Sequence, residues 1–272
     1  MGGAELMHTP TVLTIAGFDP YGGAGIQADI KTVHALGGYA LSATTALTAQ
    51  NSQGVGMVEA VSSKVLYEQL ARLLDDIRPD AVKIGMLANA ELIGVVVDAL
   101  KRYELGKIVL DPVLVSSSGR RLLEEDAVDI LVQRLFPLCT VITPNIPEIN
   151  MLLESSYKGL KTETLHMANA FFKLGADSVL IKGGHSMEEE AVDCLVDPSG
   201  IHCFSSPRVE TTHTHGTGCV LSSAIATHLA HKQSLKESVE GAKAFLYDKL
   251  LHAESLHLPY RNEKREGKEP IF

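Results

Sequence analysis

Short apolar stretches alternate with stretches of helical periodicity along most of this chain, and this alternation constrains the fold more than any other feature. Residues 11–17 form a β-rich stretch that ends in glycine, and a glycine-rich loop then leads into the helical spacing of "IQADIKTVHAL". Further apolar stretches followed by helical segments or by a hairpin occur at 80–86, 107–113, 139–145 and 177–184. Strands that alternate with helices form parallel sheets covered on both faces. The pattern therefore predicts an α/β fold with a mainly parallel central sheet.

The carboxyl-terminal third follows a different pattern. The segments "AVDCLV" and "IHCFSS" are joined by "DPSG", which predicts a hairpin of two strands. From about Thr217 the spacing becomes helical, and a charged tail occupies about 258–272. Since no proline- or serine-rich linker and no repeat divides the chain, we expect a single domain over 1–272 with its core at about 12–257.

Composition argues against several classes of partner. The chain has 272 residues and a net charge of −9, from 24 basic and 33 acidic residues, with few aromatic residues and no basic block. Such a chain is a poor candidate for binding nucleic acid or anionic membranes. No apolar stretch approaches the roughly 20 residues that span a bilayer, and the amino terminus lacks the pattern of a secretion signal.

The four cysteines are scattered, with no CxxC pair: Cys139, Cys194, Cys203 and Cys219. In a chain of this size without a secretion signal, such cysteines are expected to be reduced thiols in a cytoplasmic protein.

Polar and glycine residues stand where the predicted strands end. In open parallel sheets, ligands bind at the carboxyl ends of the strands. The residues at those ends are Gly17, Asp19, Gly85, Met86, Asp111, Asn145, Lys182, Gly183 and Gly184. Their shared placement predicts an active site along this edge of the sheet.

The segment "HTHGTGC" at 213–219 leads directly into an apolar helical stretch. Glycines let a backbone approach a ligand closely, and the first N–H groups of a helix together with its dipole form an anion site. The alternative is a glycine-rich turn that enters a core helix. Cys219 is expected to have a lowered pKa if it is partly exposed, and otherwise to be an inert buried thiol.

Three further segments carry candidate binding groups, each with a structural alternative. In "GFDPYGGAGIQAD", glycines precede a helix, and Asp19 and Asp29 are candidate hydrogen-bond acceptors, although Asp19 also suits a turn. In "TPNIPE", Asn145 and Glu148 suit a metal–water or phosphate cluster, with helix capping by Asn145 as the alternative. In "LIKGGH", Lys182 ends an apolar strand and faces either a phosphate or solvent.

Six segments occur together in one order: "LTIAGFDPYGGAGIQADIKT", "KIGML", "DPV", "TPNIPE", "IKGGH" and "THGTGC". In this order and approximate spacing, from about Val12 to Tyr247, the chain resembles the hydroxymethylpyrimidine/phosphomethylpyrimidine kinases of the ribokinase superfamily. The resemblance implies a ribokinase-like three-layer α/β/α sandwich and a homodimer. It also implies phosphorylation, with ATP and Mg2+, of 4-amino-5-hydroxymethyl-2-methylpyrimidine and then of its monophosphate, in thiamine biosynthesis.

The resemblance also implies roles for individual residues. The catalytic turn would be Gly216, Thr217, Gly218 and Cys219, with Lys182 beside it. The ATP-binding residues would be Lys182, Thr214 and Gly216, and the metal site would be Asp111, Asn145 and Glu148. The pyrimidine pocket would be Gly17, Asp29, Gln50, Met86 and Val113. Within the turn, Cys219 would act as a thiolate that takes the hydroxyl proton where relatives commonly have an aspartate.

Two residues depart from the usual pattern of the family: Tyr21 replaces a small residue, and His213 replaces an asparagine. Tyr21 would narrow or reshape the mouth of the pocket. One alternative is a pyridoxal kinase of the same lineage, since pyridoxal is also a flat heteroaromatic ring with a hydroxymethyl group. The other is a catalytically inactive nucleotide- or pyrimidine-binding protein, which would be expected to have lost Lys182, the Asn145 and Glu148 pair or the glycine turn.

Overall fold

A computed structural model describes residues 8–51, 53–116, 118–185, 190–211 and 214–253, with the side chain of His185 left out. Within these residues, nine strands form one sheet. The strands are β1 (Thr11–Phe18), β2 (Tyr39–Asn51), β3 (Gly54–Ala60), β4 (Ala81–Ile84), β5 (Ile108–Leu110), β6 (Val141–Ile142), β7 (Val179–Ile181), β8 (Ala191–Asp197) and β9 (Gly200–Ser206).

The strand order in the sheet is β3-β2-β1-β4-β5-β6-β7-β8-β9. The pairs from β2 to β7 are parallel, whereas β3 pairs antiparallel with β2, and β8 and β9 form an antiparallel extension of β7. The predicted mainly parallel sheet and the hairpin predicted in the carboxyl-terminal third of the chain are both confirmed.

Helices connect the strands and cover the sheet. They are α1 (Gly25–Ala35), α2 (Ser63–Leu74), α3 (Ala90–Arg102), α4 (Ala127–Ile130), α5 (Ile146–Leu152), α6 (Thr164–Lys173), α7 (Thr217–Ala230) and α8 (Leu235–Leu251). A π-helical turn at Leu131–Leu135 continues α4, and short 3-10 turns occur at Phe136–Leu138, Lys161–Glu163 and Gly183–His185. The side chains of Ser62, Asn89 and Ser234 cap α2, α3 and α8 by accepting hydrogen bonds from backbone N–H groups of the first turn.

Successive residues of the strands pack into opposite faces of the sheet. Leu13 belongs to a buried cluster with Leu66 of α2 and Leu92 of α3, whereas its neighbour Val12 belongs to a second cluster with Leu221 of α7. This alternation follows from the two-residue period of a β-strand. Because helices cover both faces, the predicted three-layer α/β/α sandwich is confirmed.

Some elements have no counterpart in the sequence predictions. The strands β2 and β3 and the helices α2 and α6 were not predicted, and in β2 the inward positions include the small side chains of Ala43 and Thr45, which weaken the apolar alternation. The charged tail at about 258–272 lies outside the described residues, so the single domain over 1–272 stays a prediction. No helix of the described part is both long and apolar enough to cross a bilayer.

The β8–β9 hairpin corrects the expectation of four reduced thiols. Cys194 and Cys203 stand directly opposite each other in the antiparallel pair, and a disulfide joins them. Cys139 and Cys219 are free. The expectation is wrong because it considered only the scatter of cysteines along the chain, whereas the hairpin register brings two of them together.

A thiol count tests the pairing. In protein purified without reductant and then denatured, a thiol reagent should react with two thiols per chain, those of Cys139 and Cys219. Prior reduction should raise the count to four. The control variant Cys203→Ser should expose one additional thiol before reduction, because Cys194 loses its partner. Four thiols in the unreduced wild-type protein would contradict the disulfide.

Candidate functional site

A cleft of about 1000 Å³ runs along the carboxyl edge of the parallel strands. Every residue that the resemblance assigned to the site lies on its wall except Asp29. Those on the wall are Gly17, Gln50, Met86, Asp111, Val113, Asn145, Glu148, Lys182, Thr214, Gly216, Thr217, Gly218 and Cys219. The fold therefore brings together residues from distant parts of the chain, at the edge where the sheet topology predicts a site.

Two glycine-containing turns, the loop after β1 and the turn before α7, contact each other at this edge. The buried carboxylate of Asp19 accepts hydrogen bonds from the backbone N–H groups of Gly23 and Ala24, at 3.0 and 2.8 Å, and its Oδ2 lies 3.1 Å from Nε2 of His215. Burial acts to raise the pKa of Asp19, but the hydrogen bonds with His215 and with the backbone N–H groups of Ala24 and Tyr21 outweigh it and hold the pKa below the ordinary value. Gly216 has φ +82°, and a Cβ there would collide with the Gly23 carbonyl. Both turns are thus fixed by glycine and by Asp19.

The first turn of α7 reaches the charged groups of the cleft. A Cβ at Gly218 would lie 3.1 Å from Oδ2 of Asp111 and 3.4 Å from Nζ of Lys182. The lack of a side chain therefore lets the helix backbone approach this pair closely. The amino terminus of a helix attracts anions, and the anion site at this turn stays a prediction.

Lys182 stands between two carboxylates. Its Nζ donates to Oδ1 of Asp111 at 2.7 Å and lies 4.0 Å from Oε2 of Glu148. Burial acts to lower the pKa of Lys182, but Asp111 and then Glu148 outweigh it and raise that pKa. Burial raises the pKa of Glu148 to about 7, against the lowering effect of Lys182. The cluster thus combines a fixed cation with a carboxyl group that titrates near neutral pH.

Asn145 and Glu148 form a capping box at the start of α5. Oδ1 of Asn145 accepts from the N–H of Glu148 at 2.9 Å, and Oε2 of Glu148 accepts from the N–H of Asn145 at 2.8 Å. The capping alternative for Asn145 is therefore confirmed. Its cap also fixes the Glu148 side chain at the edge of the cleft.

The donor set suits a magnesium ion that shares its ligands with phosphates. Within the described residues, no group of three or more His, Cys, Asp or Glu side chains could hold a metal alone. Mg2+ in nucleotide sites usually takes one or two carboxylates and completes its shell with phosphate oxygens and water. Asp111 and Glu148, on either side of Lys182, supply such a pair.

Cys219 departs from its expected ionisation. Its side chain is half-buried, and burial, together with the Asp29 and Asp111 carboxylates, raises the pKa of its thiol to about 11, although the Lys83 ammonium acts to lower it. The expected lowering of the pKa at a helix amino terminus is therefore wrong. In the ligand-free site, Cys219 is a thiol at neutral pH.

Asp29 lies beneath the cleft, not on its wall. Its carboxylate is fully buried and accepts hydrogen bonds from Lys83, from Thr14 and from Ser223. The predicted contact of Asp29 with a pyrimidine is therefore wrong, because its oxygens are already engaged within the protein. Lys83 is as buried as Asp29 and lies directly behind the cleft surface, and it was not singled out from the sequence as a site residue. A lysine inside the apolar stretch "DAVKIGM" is the signal that marks it.

The remaining predicted residues line an apolar part of the cleft. Gly17 lets the chain pass close to Met86, since a Cβ at Gly17 would lie 3.1 Å from Sδ of Met86. Thr45 Oγ1 donates to the Met86 carbonyl at 2.6 Å and so fixes this backbone. With Val113 and the Gln50 amide on the same wall, the surface suits a flat ring with a polar edge.

Comparison with known proteins agrees with this geometry. Residues 19–261 match the phosphomethylpyrimidine kinase family. A hydroxymethylpyrimidine/phosphomethylpyrimidine kinase from Escherichia coli is 42% identical over 93% of this chain and 95% of its own. A thiamine biosynthesis bifunctional protein from Geobacter sulfurreducens is 44% identical over 87% of this chain, which spans only 48% of that protein.

Two solved structures share the fold. Phosphomethylpyrimidine kinase from Clostridium difficile is 39% identical, with a TM-score of 0.78 over 88% of this chain and 99% of its own. Pyridoxal kinase from Bacillus subtilis, solved as an ADP complex, is 34% identical, with a TM-score of 0.81 over 89% of this chain and 92% of its own. The ribokinase-like fold expected from the sequence is confirmed.

The raised pKa of Glu148 predicts a pH-dependent stability. Because the folded-state pKa, about 7, exceeds the ordinary 4.5, the folded protein binds this proton more tightly than the unfolded chain does. This contribution is complete below the unfolded pKa and is lost as pH rises through about 7. In urea unfolding of the ligand-free protein, Glu148→Gln should therefore reduce the loss of stability between about pH 5 and pH 8.

The exposed Glu125 provides the matched control. Glu125→Gln should keep the wild-type dependence of unfolding free energy on pH. Identical pH profiles for wild-type protein and Glu148→Gln would show that Glu148 does not titrate in this range.

Proposed function

Because the chain belongs to the phosphomethylpyrimidine kinase family, we propose that it transfers a phosphoryl group from ATP to the hydroxymethyl group of 4-amino-5-hydroxymethyl-2-methylpyrimidine. A second transfer, to the monophosphate, gives the pyrophosphate in thiamine biosynthesis. One observation carries the proposal: Lys182, Asp111 and the first turn of α7 converge at Gly218. Phosphoryl transfer requires mainly such positioning and charge stabilisation.

The phosphates of ATP bind at this point of convergence. The N–H groups of the Gly216–Cys219 turn and the Lys182 ammonium supply positive charge for the transferring group, and Thr214 on the cleft wall contacts the nucleotide. The ADP complex of the related pyridoxal kinase supports an adenine nucleotide as co-substrate. Gly216 keeps the turn close to the Gly23 carbonyl, so these donors are positioned before a ligand arrives.

Asp111 and Glu148 hold Mg2+ in this proposal, and Asn145 orients Glu148 through its helix cap. The bound ion supplies a positive charge that offsets the negative charge of the phosphate oxygens. Lys182 already neutralises part of the carboxylate charge, so the site does not present two unpaired anions to the triphosphate.

The pyrimidine binds in the apolar part of the cleft. Met86 and Val113 contact the faces of the ring, Gly17 permits a close approach, and the Gln50 amide pairs with the aminopyrimidine edge as donor and acceptor. Asp29 supports this region from below through Lys83.

Cys219 lies beside the hydroxyl group that attacks the phosphorus. Its raised pKa makes the thiol the main form in the ligand-free site, so a preformed thiolate is the minor species. A loose transition state asks little of a base, because the hydroxyl proton becomes acidic only once its oxygen has begun to bond to phosphorus. The thiol side chain therefore positions the hydroxyl, and the hydroxyl proton passes to an oxygen of the transferred phosphoryl group as the new P–O bond forms and the bond to ADP breaks.

A homodimer in the cytoplasm completes the proposal. An apolar face of the β2–β3 hairpin supports self-association, since Leu47 and Met57 are both more than half exposed, at 51% and 53%. Met57 pairs with Ala49, two residues after Leu47, so the three side chains share one face of the hairpin.

The alternative substrate is pyridoxal. The structural match to the Bacillus subtilis pyridoxal kinase favours it. Tyr21, whose ring lies 6.1 Å from that of His215 beside the glycine turns, does not line the cleft and favours neither substrate. His213, the other departure from the family pattern, lies outside the described residues. An inactive binding protein is less well supported, because Lys182, Asn145, Glu148 and the glycine turn are all present.

An activity assay distinguishes these functions. With ATP and Mg2+, the wild-type protein should phosphorylate hydroxymethylpyrimidine and its monophosphate, each with a higher kcat/KM than pyridoxal, when the products are separated by chromatography. A higher kcat/KM for pyridoxal would establish the alternative. Ligand binding without ATP consumption would identify a binding protein.

Substitution of the thiol tests its part in the reaction. Cys219→Ala should lower kcat at least about tenfold and leave the KM for ATP within about twofold. The reason is that the side chain contacts the reacting hydroxyl and not the nucleotide. Cys139→Ala removes the other free thiol, which is buried outside the cleft, and should retain turnover. Unchanged kcat in Cys219→Ala would remove Cys219 from the chemistry.

A further inference from the structure

We propose that Lys83 is a positioning residue for phosphoryl transfer, which acts through Asp29 and Ser223 on the first turns of α7 and holds a fixed positive charge close to Cys219. The inference rests on the proposed kinase function and goes beyond it, since the predicted site residues do not include this lysine, although it is the first residue of the "KIGML" segment. Lys83 and Asp29 are both fully buried.

The Lys83–Asp29 ion pair is inside the protein, and the glycine that follows β4 leaves space for it. Lys83 lies in β4, and its Nζ donates to both carboxylate oxygens of Asp29, at 2.9 and 2.8 Å. A Cβ at Gly85 would lie 2.9 Å from this Nζ. Gly85 therefore leaves the space that the ammonium group occupies, at the point where β4 ends and the cleft begins.

Asp29 connects the lysine to α7. Ser223 Oγ donates to Oδ1 of Asp29 at 2.6 Å, and Thr14 Oγ1 in β1 donates to Oδ2 at 2.5 Å. Ser223 follows Cys219 by four residues, which is about one helical turn, so both lie on the same side of α7. The carboxylate on α1 thus fixes α7 to β1 and β4 directly behind the catalytic turn.

Stability alone does not account for a buried ion pair at this place. Replacement of such pairs by apolar side chains is often neutral or stabilising, because taking two charges out of water is costly. The buried part of α7 also packs through apolar residues such as Leu221 and Ile225. A fixed cation directly behind the wall of a phosphoryl-transfer site has a further use, since it favours negative charge as that charge develops.

The charges around Cys219 agree with this role. The Lys83 ammonium acts to lower the pKa of the thiol, whereas the carboxylates of Asp29 and Asp111 act to raise it. Lys83 and Asp29 therefore act on the same sulfur with opposite signs. Removal of either charge should therefore change the reactivity of Cys219, in opposite directions for the two residues.

Two matched hydroxyl substitutions test the connection through α7. Ser223→Ala and Thr14→Val each remove one buried hydrogen bond to the same carboxylate and leave both charges in place. Both variants should have a similar, modestly lowered Tm. Only Ser223→Ala should lower kcat, about fivefold to tenfold, with the KM for ATP within about twofold, because only Ser223 belongs to the helix that carries Cys219.

The alkylation rate of Cys219 tests the effect of the Lys83 and Asp29 charges in an experiment that does not depend on kinase activity. In a Cys139→Ala background and at one fixed pH, the rate of Cys219 alkylation by iodoacetamide should fall in Lys83→Met and rise in Asp29→Asn, as the thiolate fraction changes. A loosened structure would speed alkylation in both variants. Circular dichroism and Tm establish whether each variant is folded. If the charge variants do not fold, Ser223→Ala and Thr14→Val still test the connection from Asp29 to α7.

Wild-type kcat in folded Ser223→Ala, or an equal loss of kcat in Thr14→Val, would overturn the positioning role. Alkylation rates that change in the same direction in both charge variants would overturn the electrostatic role. A wild-type protein with no kinase activity would refute the proposed function instead, and the alkylation rates would still report whether Lys83 acts on Cys219.

Discussion

Parallel pairing of β2, β1, β4, β5, β6 and β7 is the constraint on which the site depends, because the carboxyl ends of parallel-paired strands meet at the same edge of the sheet. The pairing continues past the strand ends through backbone hydrogen bonds, from Gly85 N–H to Ile15 O, from Asp111 N–H to Ile84 O and from Lys182 N–H to Pro144 O. The residues that follow each strand are therefore held in register. An aspartate after β5 and a lysine after β7 meet at 2.7 Å because the sheet places them there, although 71 positions separate them in the chain.

The charged groups at the cleft are paired before any ligand binds. Lys182 lies between Asp111 and Glu148, and Lys83 lies on Asp29. Neither lysine has to be brought in from solvent, and each of the three carboxylates has a neighbouring cation. A triphosphate with its metal therefore enters a site whose charges are already desolvated and oriented, which is the condition under which they stabilise a transition state most.

The sequence predicted the features that depend on local order along the chain. The strand–helix alternation indicated the sheet, and the motif residues that follow strands, such as Lys182 and Asp111, were correctly placed on one cleft. What it did not predict depends on contacts across the fold. The register that joins Cys194 to Cys203 is set by the hairpin turn. The engagement of Asp29 is set by Ser223, 194 positions away, and the raised pKa of Cys219 is set by burial and by carboxylates on other elements.

The close approach of Gly216 to the backbone of Gly23 joins the turn before α7 to the loop after β1. No side chain separates the loop after β1 from the turn before α7, and the Asp19–His215 contact joins them a second time. A change in the first loop that accommodates a different ring, for example at Tyr21, is therefore transmitted to the donors that surround the phosphate. Because the two turns are in contact, we expect substrate choice and the geometry of phosphoryl transfer to change together when either turn is altered.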